Sequence, residues 1–300
     1  MYKKILVPLD GSVLAEQALD PALQLAKPVS GELLLIRIPM HVGSHNRPIS
    51  PAQEYAWPQE TYTPIKGESA EYLRDLRSSR AVPGVSIRTM VIQGDRAGTI
   101  VDTALSEQVD LIIMSTHGRT GLSRWVLGSV TSRVLRQAPC PVLVLRKAVP
   151  LKHVMITLDG SLLAEQAIQP GIALARACGA KLTLLRVISA AEDIIEGNKI
   201  RENVNLGTDD PNQQLIQAAR NYLRDFVAIH DTGNLEVELA VWTGVVAPTI
   251  LDFAAQENVD LIAMTTHGRT GFRRWIYGSV TENILYGTDC AVLIIRPPEN

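Results

Sequence analysis

Two stretches of this chain set out the same small polar residues in the same order. STHGRTGLSRWVLGSVT occupies 115–131 and TTHGRTGFRRWIYGSVT occupies 265–281, differing only at 115, 122, 123, 126 and 127 and their counterparts. Packing tolerates exchange between apolar side chains, but it does not demand the fixed Gly, His, Arg, Thr and Ser. Gly118 and Gly128, like Gly268 and Gly278, permit positive φ and let a ligand come close to the backbone. The Gly-Ser pairs at 128–129 and 278–279 open a helix pattern. A helix start offers free N–H groups and the positive end of a dipole, which attract phosphate. Ser129 and Thr131, with Ser279 and Thr281, add hydroxyls. A second set sits in PLDGS (8–12) and TLDGS (157–161), where Asp10 and Asp159 close an apolar run. An acidic residue so placed accepts ribose hydroxyls in other nucleotide folds. The pattern suits a nucleotide, with ribose on the carboxylate and phosphates on the Gly-Ser turn. A plainer reading stands beside it: glycines that serve turn geometry alone, and an Asp10 that caps the next helix.

The elements that must position these residues also come twice. Asp10 and Asp159 are offset by 149, as are SVLAEQ (12–17) and SLLAEQ (161–166); His117 and His267, like Gly128 and Gly278, are offset by 150. A period this long means domain duplication, and the reading is two domains, 1–148 and 149–300. Each opens with an apolar run, KILVPL or HVMITL, the pattern of a buried strand. One helix follows, capped by Ser12 or Ser161, with Leu14, Ala18, Leu19, Ala22 and Leu25 at helical spacing. Further strands are expected at 33–38, 85–92, 110–115 and 142–146, matched at 182–187, 235–242, 260–265 and 292–296. Helices are expected at 97–107 and 246–257, and again from Gly128 and Gly278. Strand alternating with helix predicts an α/β fold with a parallel sheet and helices on both faces. The segments 39–67 and 189–211 read as long loops, the first rich in proline and aromatics, and suit a lid, a partner surface or irregular surface filler.

Composition removes several function classes. At 46% apolar and 20% charged, the chain is neither disordered nor collagenous. A net charge of −2 gives no global pull toward nucleic acid or anionic lipid. Three cysteines without a CxxC argue against structural zinc or a disulfide framework, and Cys140 and Cys290 read as small buried residues. The opening MYKKILVPLD enters a strand directly, without a signal-peptide pattern, so a cytoplasmic location is expected.

No GxGxxG follows the first strand, and no GxxxxGK[ST], DxDxDG or GxSxG occurs. The motif that does occur is G-x9-G-[ST], at Gly118, Gly128 and Ser129 and at Gly268, Gly278 and Ser279. With KILVPLDGS, HVMITLDGS, DLIIMSTHG and DLIAMTTHG, it makes each copy resemble the universal stress protein family, almost end to end. The resemblance implies two doubly wound, Rossmann-like domains, each a five-stranded sheet of order 3-2-1-4-5. Its switch point then falls between strands one and four. It also implies ATP as ligand, with or without Mg²⁺, since some members of that family bind ATP and others lack the motif and do not. By that resemblance the first site comprises Pro8, Leu9, Asp10, Ile38, Met114, Ser115, Gly118, Arg119, Gly128, Ser129, Val130 and Thr131. Asp10 would meet the ribose, the backbone of Ile38 the adenine, and Ser115 and Gly118 the ribose and phosphates. The second site comprises Thr157, Leu158, Asp159, Val187, Met264, Thr265, Gly268, Arg269, Gly278, Ser279, Val280 and Thr281. The motif's first glycine is Ser115 here and Thr265 there, a departure that either crowds the sugar or adds a hydrogen bond. GDRAG (94–98) against TGVVAP (243–248) leaves copy two without an acidic residue at that helix start, so copy one is expected to bind more tightly.

His117 and His267 have no nucleophile or second base beside them, and they read as structural. Arg119, Arg124 and Arg133 could meet phosphate or line a solvated face. Trp125 and Trp275 read as packing or interface residues. Strand five is apolar at the end of the expected order, and such edges invite pairing. The family pairs domains there, which implies a homodimer or an intramolecular pseudo-dimer. The function expected is an ATP-binding sensor or regulator without fast catalysis, because no set for water activation and Mg²⁺ is visible. The alternative is a nucleotide-free interaction scaffold of the same fold.

Overall fold

The computed structural model describes residues 2–39, 59–116, 127–147, 150–189, 211–266 and 278–296. The chain divides into two compact units, Met1–Ala148 and Val149–Asn300. In the first, β1 (Lys4–Leu9) leads through α1 (Val13–Glu16) and α2 (Leu19–Ala26) to β2 (Glu32–Arg37). Then come α3 (Gln59–Ser79), β3 (Ser86–Val91), α4 (Arg96–Ser106), β4 (Leu111–Ser115), α5 (Ser129–Gln137) and β5 (Val142–Leu145). The second unit repeats this with β6 (His153–Leu158), α6 (Leu162–Glu165), α7 (Ile168–Cys178), β7 (Lys181–Ile188) and α8 (Pro211–Ile229). It closes with β8 (Val237–Thr243), α9 (Val246–Gln256), β9 (Leu261–Thr265), α10 (Ser279–Gly287) and β10 (Ala291–Ile295).

Within the first unit the strands pair in parallel in the order β3-β2-β1-β4-β5. Within the second the order is β8-β7-β6-β9-β10, again parallel. Both are the doubly wound 3-2-1-4-5 order. Right-handed crossovers that change direction at β1 place α1, α2 and α3 on one face and α4 and α5 on the other. A sheet covered on both faces needs continuous apolar strands. Ile5, Leu6 and Val7 of β1 and Leu111, Ile112 and Ile113 of β4 are accordingly fully buried. Each such side chain contributes about 1.5–3 kcal/mol relative to exposure.

Two expectations are corrected. The helix predicted after strand one is split, α1 ending at Glu16 and α2 starting at Leu19. Pro21 explains this: it has no N–H, and its ring would strike the carbonyl of Gln17 in a continuous helix. Pro170 breaks the second unit at the same place, between Glu165 and Ile168. The loop expected over 39–67 is partly helix, because α3 already begins at Gln59 and runs through Pro64 and Gly67. Ser69, Leu73 and Leu76, spaced for one helical face, are buried and anchor it. Residues 40–58 and 190–210, which hold the rest of both expected loops, lie outside the described residues.

Candidate functional site

β1 is flanked by β2 on one side and β4 on the other, so the chain leaves its carboxyl end in one direction and that of β4 in the other. The crevice between them is where open α/β sheets bind ligands. Pro8 and Leu9 end β1, and half-buried Asp10 follows. Asp10 Oδ1 accepts from the Ser12 N–H at 2.9 Å and the Ser12 hydroxyl at 2.6 Å. Ser12 Oγ in turn accepts from Ala15 N at 3.1 Å and caps α1. The carboxylate is thus fixed through a tight turn with Gly11 at its middle, at φ +84°. Asp159 and Ser161 repeat the arrangement with bonds of 2.9 and 2.6 Å, and Ser161 caps α6.

The other wall is the end of β4 with the start of α5. Met114 and Ser115 close β4, paired with Val144 and Leu145 of β5. Gly128 is the residue before α5; its N–H donates to Thr116 O at 2.9 Å, and among the described residues no side chain caps the helix. A Cβ on Gly128 would stand 2.7 Å from Thr116 O, so the helix start is pressed against the strand end. Ser129 is exposed and Val130 half-buried, while Thr131 is 3% exposed and its hydroxyl donates to Ser115 O at 3.1 Å. Thr131 therefore offers a ligand chiefly its backbone N–H. In the second unit Met264 and Thr265 end β9, and Gly278 precedes α10 with its N–H on Thr266 O at 3.0 Å. Ser279 is exposed, Val280 half-buried, and Thr281 donates to Thr265 O at 3.1 Å. Thr157 and Leu158 end β6. Ile38 lies just beyond β2, whereas Val187 is still within β7. Gly118, Arg119, Gly268 and Arg269, with His117, His267, Trp125 and Trp275, lie outside the described residues.

The units differ behind this wall. Asp95 caps α4 by accepting from Gly98 N at 2.8 Å, and its two oxygens take Arg133 Nη1 and Nη2 of α5, each at 2.8 Å. Burial alone would raise the Asp95 carboxyl; the Arg133 hydrogen bonds, the Gly98 N–H and the Arg133 charge outweigh it and hold it below its ordinary value. The second unit has Val245 at the cap, without a side-chain bond, and Pro248 and Asn283 where Gly98 and Arg133 stand. Proline has no N–H to be capped, so acceptor, donor and bracing cation are all replaced. The cysteines expected as small buried residues are half-buried. Burial pushes the Cys140 thiol up to about 12, and the Cys290 thiol donates to Val259 O at 2.9 Å.

A family model described as the universal stress protein family matches residues 1–146 and again 150–296. The chain belongs to the universal stress protein family. It is 36% identical over 147 residues to a universal stress protein of Methanocaldococcus jannaschii, covering 49% of this chain and 84% of the relative. It is 33% identical over 153 residues to the universal stress protein YxiE of Bacillus subtilis, covering 49% of this chain and all of that one. A universal stress protein of Archaeoglobus fulgidus superposes with a TM-score of 0.70 over 99% of both chains at 16% identity, a likeness of fold. This is a stress-response protein in which two units of the family stand in tandem. Among the described residues no helix is long and apolar enough to cross a membrane.

One group in this universal stress protein escaped the sequence reading. The Arg37 guanidinium lies 4.5 Å from the centroid of the Tyr72 ring, and the Tyr72 hydroxyl donates to Glu16 Oε1 at 2.8 Å. Arg186, Tyr222 and Glu165 repeat this at 4.8 and 3.2 Å. Burial first, then the Glu16 bond and charge, raise the Tyr72 phenol above its ordinary range. Arg37 and Tyr72 are far apart in sequence, and only the matching offsets of the two copies could have flagged them.

Proposed function

We propose that each unit of this universal stress protein binds an adenine nucleotide, ATP, at the crevice between strands one and four, and that the protein acts as a sensor or regulator. The carrying observation is the pairing of a fixed carboxylate, Asp10 or Asp159, with a helix start across that crevice. The cap residue of that helix is a glycine, Gly128 or Gly278, and no side chain among the described residues caps it. A carboxylate accepts ribose hydroxyls; uncapped N–H groups at 129–131 or 279–281 donate to phosphate. The residues named for the two sites keep the roles assigned above, with Mg²⁺ as a companion of the phosphates where it is present. The protein binds and releases nucleotide without fast turnover.

The first unit is the tighter binder in this reading, because the Asp95–Arg133 pair braces α5 from behind and the second unit has no such pair. A second reading, the nucleotide-free scaffold, is favoured by Thr265, a β-branched residue at the motif's first glycine position and only 5% exposed. Pairing through strand five, within the chain or between two chains, belongs to both readings, and light scattering at several concentrations reports it.

The test is to denature the purified protein and assay the supernatant for adenine nucleotide, with a thermal-shift assay on added ATP. Released nucleotide or an ATP-dependent rise in the melting midpoint is expected. An empty protein with an unmoved midpoint supports the scaffold.

A further inference from the structure

We infer that Arg37 and Arg186 are positioning residues that hold the Asp10 and Asp159 turns in shape before a ligand arrives; the role in binding rests on the nucleotide reading above. Gly11 sits in the left-handed region at φ +84°, and a Cβ there would meet Arg37 Nη2 at 3.0, Cζ at 3.2 and Nη1 at 3.3 Å. Three guanidinium atoms at nearly equal range mean that the flat face of the group lies on the Gly11 backbone. The guanidinium also lies 4.5 Å from the centroid of the Tyr72 ring. The guanidinium is thus a plate between the turn and α3, and Tyr72 is tied back to α1 through Glu16. Strand β2, the turn after β1, α1 and α3 are joined at one point.

The second unit builds the same stack. A Cβ on Gly160, at φ +87°, would meet Arg186 Nη2, Cζ and Nη1 at 3.1, 3.2 and 3.2 Å, with Tyr222 behind at 4.8 Å. Around the arginine the copies differ, GELLLIR (31–37) standing against AKLTLLR (180–186), whereas the glycine and glutamate lie in LDGSVLAEQ and LDGSLLAEQ and the tyrosine in a shared YLRD. The arginine is the same in both copies although its neighbours differ, and it meets the same glycine, tyrosine and glutamate in each. Packing alone would accept leucine in place of a half-buried arginine. A planar cation does what leucine does not: it lies flat on a side-chain-free backbone and on an aromatic face at once. A turn held this way presents its carboxylate without an ordering cost on binding.

The test uses the full chain carrying Asp159→Ala, so that binding reports the first unit. Arg37→Ala is expected to weaken ATP binding about tenfold, the lower range for removing a support behind a ligand group. It should also speed amide exchange over residues 11–15 and leave β4 unchanged. Arg37→Lys, which keeps the charge and loses the plate, is expected to do the same. If both variants leave affinity and exchange as in the parent while Asp10→Ala lowers affinity, the positioning role is overturned and the nucleotide reading stands. If the parent binds no ATP, the nucleotide reading falls, and exchange over 11–15 alone decides whether Arg37 holds the turn. If Arg37→Ala speeds exchange everywhere, Arg37→Lys decides: a tight turn with lysine rules out the plate.

Discussion

Gly128 and Gly278 occupy equivalent places and face different constraints. A Cβ on Gly128 meets a backbone oxygen at 2.7 Å, whereas one on Gly278 meets Thr266 O at 3.4 Å, an ordinary contact. A backbone carbonyl has no rotamer to yield with. Gly128→Ala should therefore destabilise the first unit by about 1–3 kcal/mol, as overpacking does. Gly278→Ala should cost less than about 1 kcal/mol, the loss of a slightly better cap. Denaturant melts of the two variants check this, and equal losses would mean that α5 is not pressed against β4. Asp10→Ala is expected to weaken nucleotide binding, since it removes both the acceptor and the anchor of the Ser12 turn. Its affinity is measured by calorimetric titration, and an unchanged value would move the site elsewhere.

At the scale of elements, α4 and α5 are joined by Asp95 and Arg133 in the first unit alone. The side chains are 25% and 52% exposed, so solvent screens the pair and it adds less than about 1 kcal/mol. The lost cap adds about 1 kcal/mol to the effect of Asp95→Ala. The sign of the pH dependence follows from the depressed carboxyl. Its stabilisation is full above the ordinary value of 3.8 and is lost as pH falls through the lower folded-state value. Urea melts should show wild type and Asp95→Ala well separated at pH 7 and converging in strong acid. A gap that widens in acid would contradict the assignment. The strands were legible in the sequence because a sheet buried on both faces must be written as unbroken apolar runs. The split of the first helix was also legible, in Pro21 and Pro170, though the apolar spacing of Leu14, Ala18 and Leu25 hid it. The start of α3 was not, because Pro64 and Gly67 signal a stop that the burial of Leu73 and Leu76 overrides. The carboxylate and glycine halves of the site were read from strand ends. The Arg37–Tyr72 stack joins a strand end to a helix 35 residues further on, a contact that no local pattern announces. The loss of Asp95 was visible, but its partner's loss, Arg133 to Asn283, shows only once α4 and α5 are seen together.

For the whole molecule, duplication sets two carboxylate turns and two uncapped helix starts in one chain. In the proposed reading the Asp95–Arg133 brace on α5 makes the two sites unequal. A sensor with two sites of different strength responds over a wider range of nucleotide concentration than one with a single site. Isothermal titration of the nucleotide-stripped protein with ATP tests this most directly, alongside Asp10→Ala, Asp159→Ala and the double variant. Two binding events of unequal affinity are predicted, with Asp10→Ala weakening the tighter, Asp159→Ala the weaker, and the double variant silent. Undiminished heat of binding in the double variant would contradict the account.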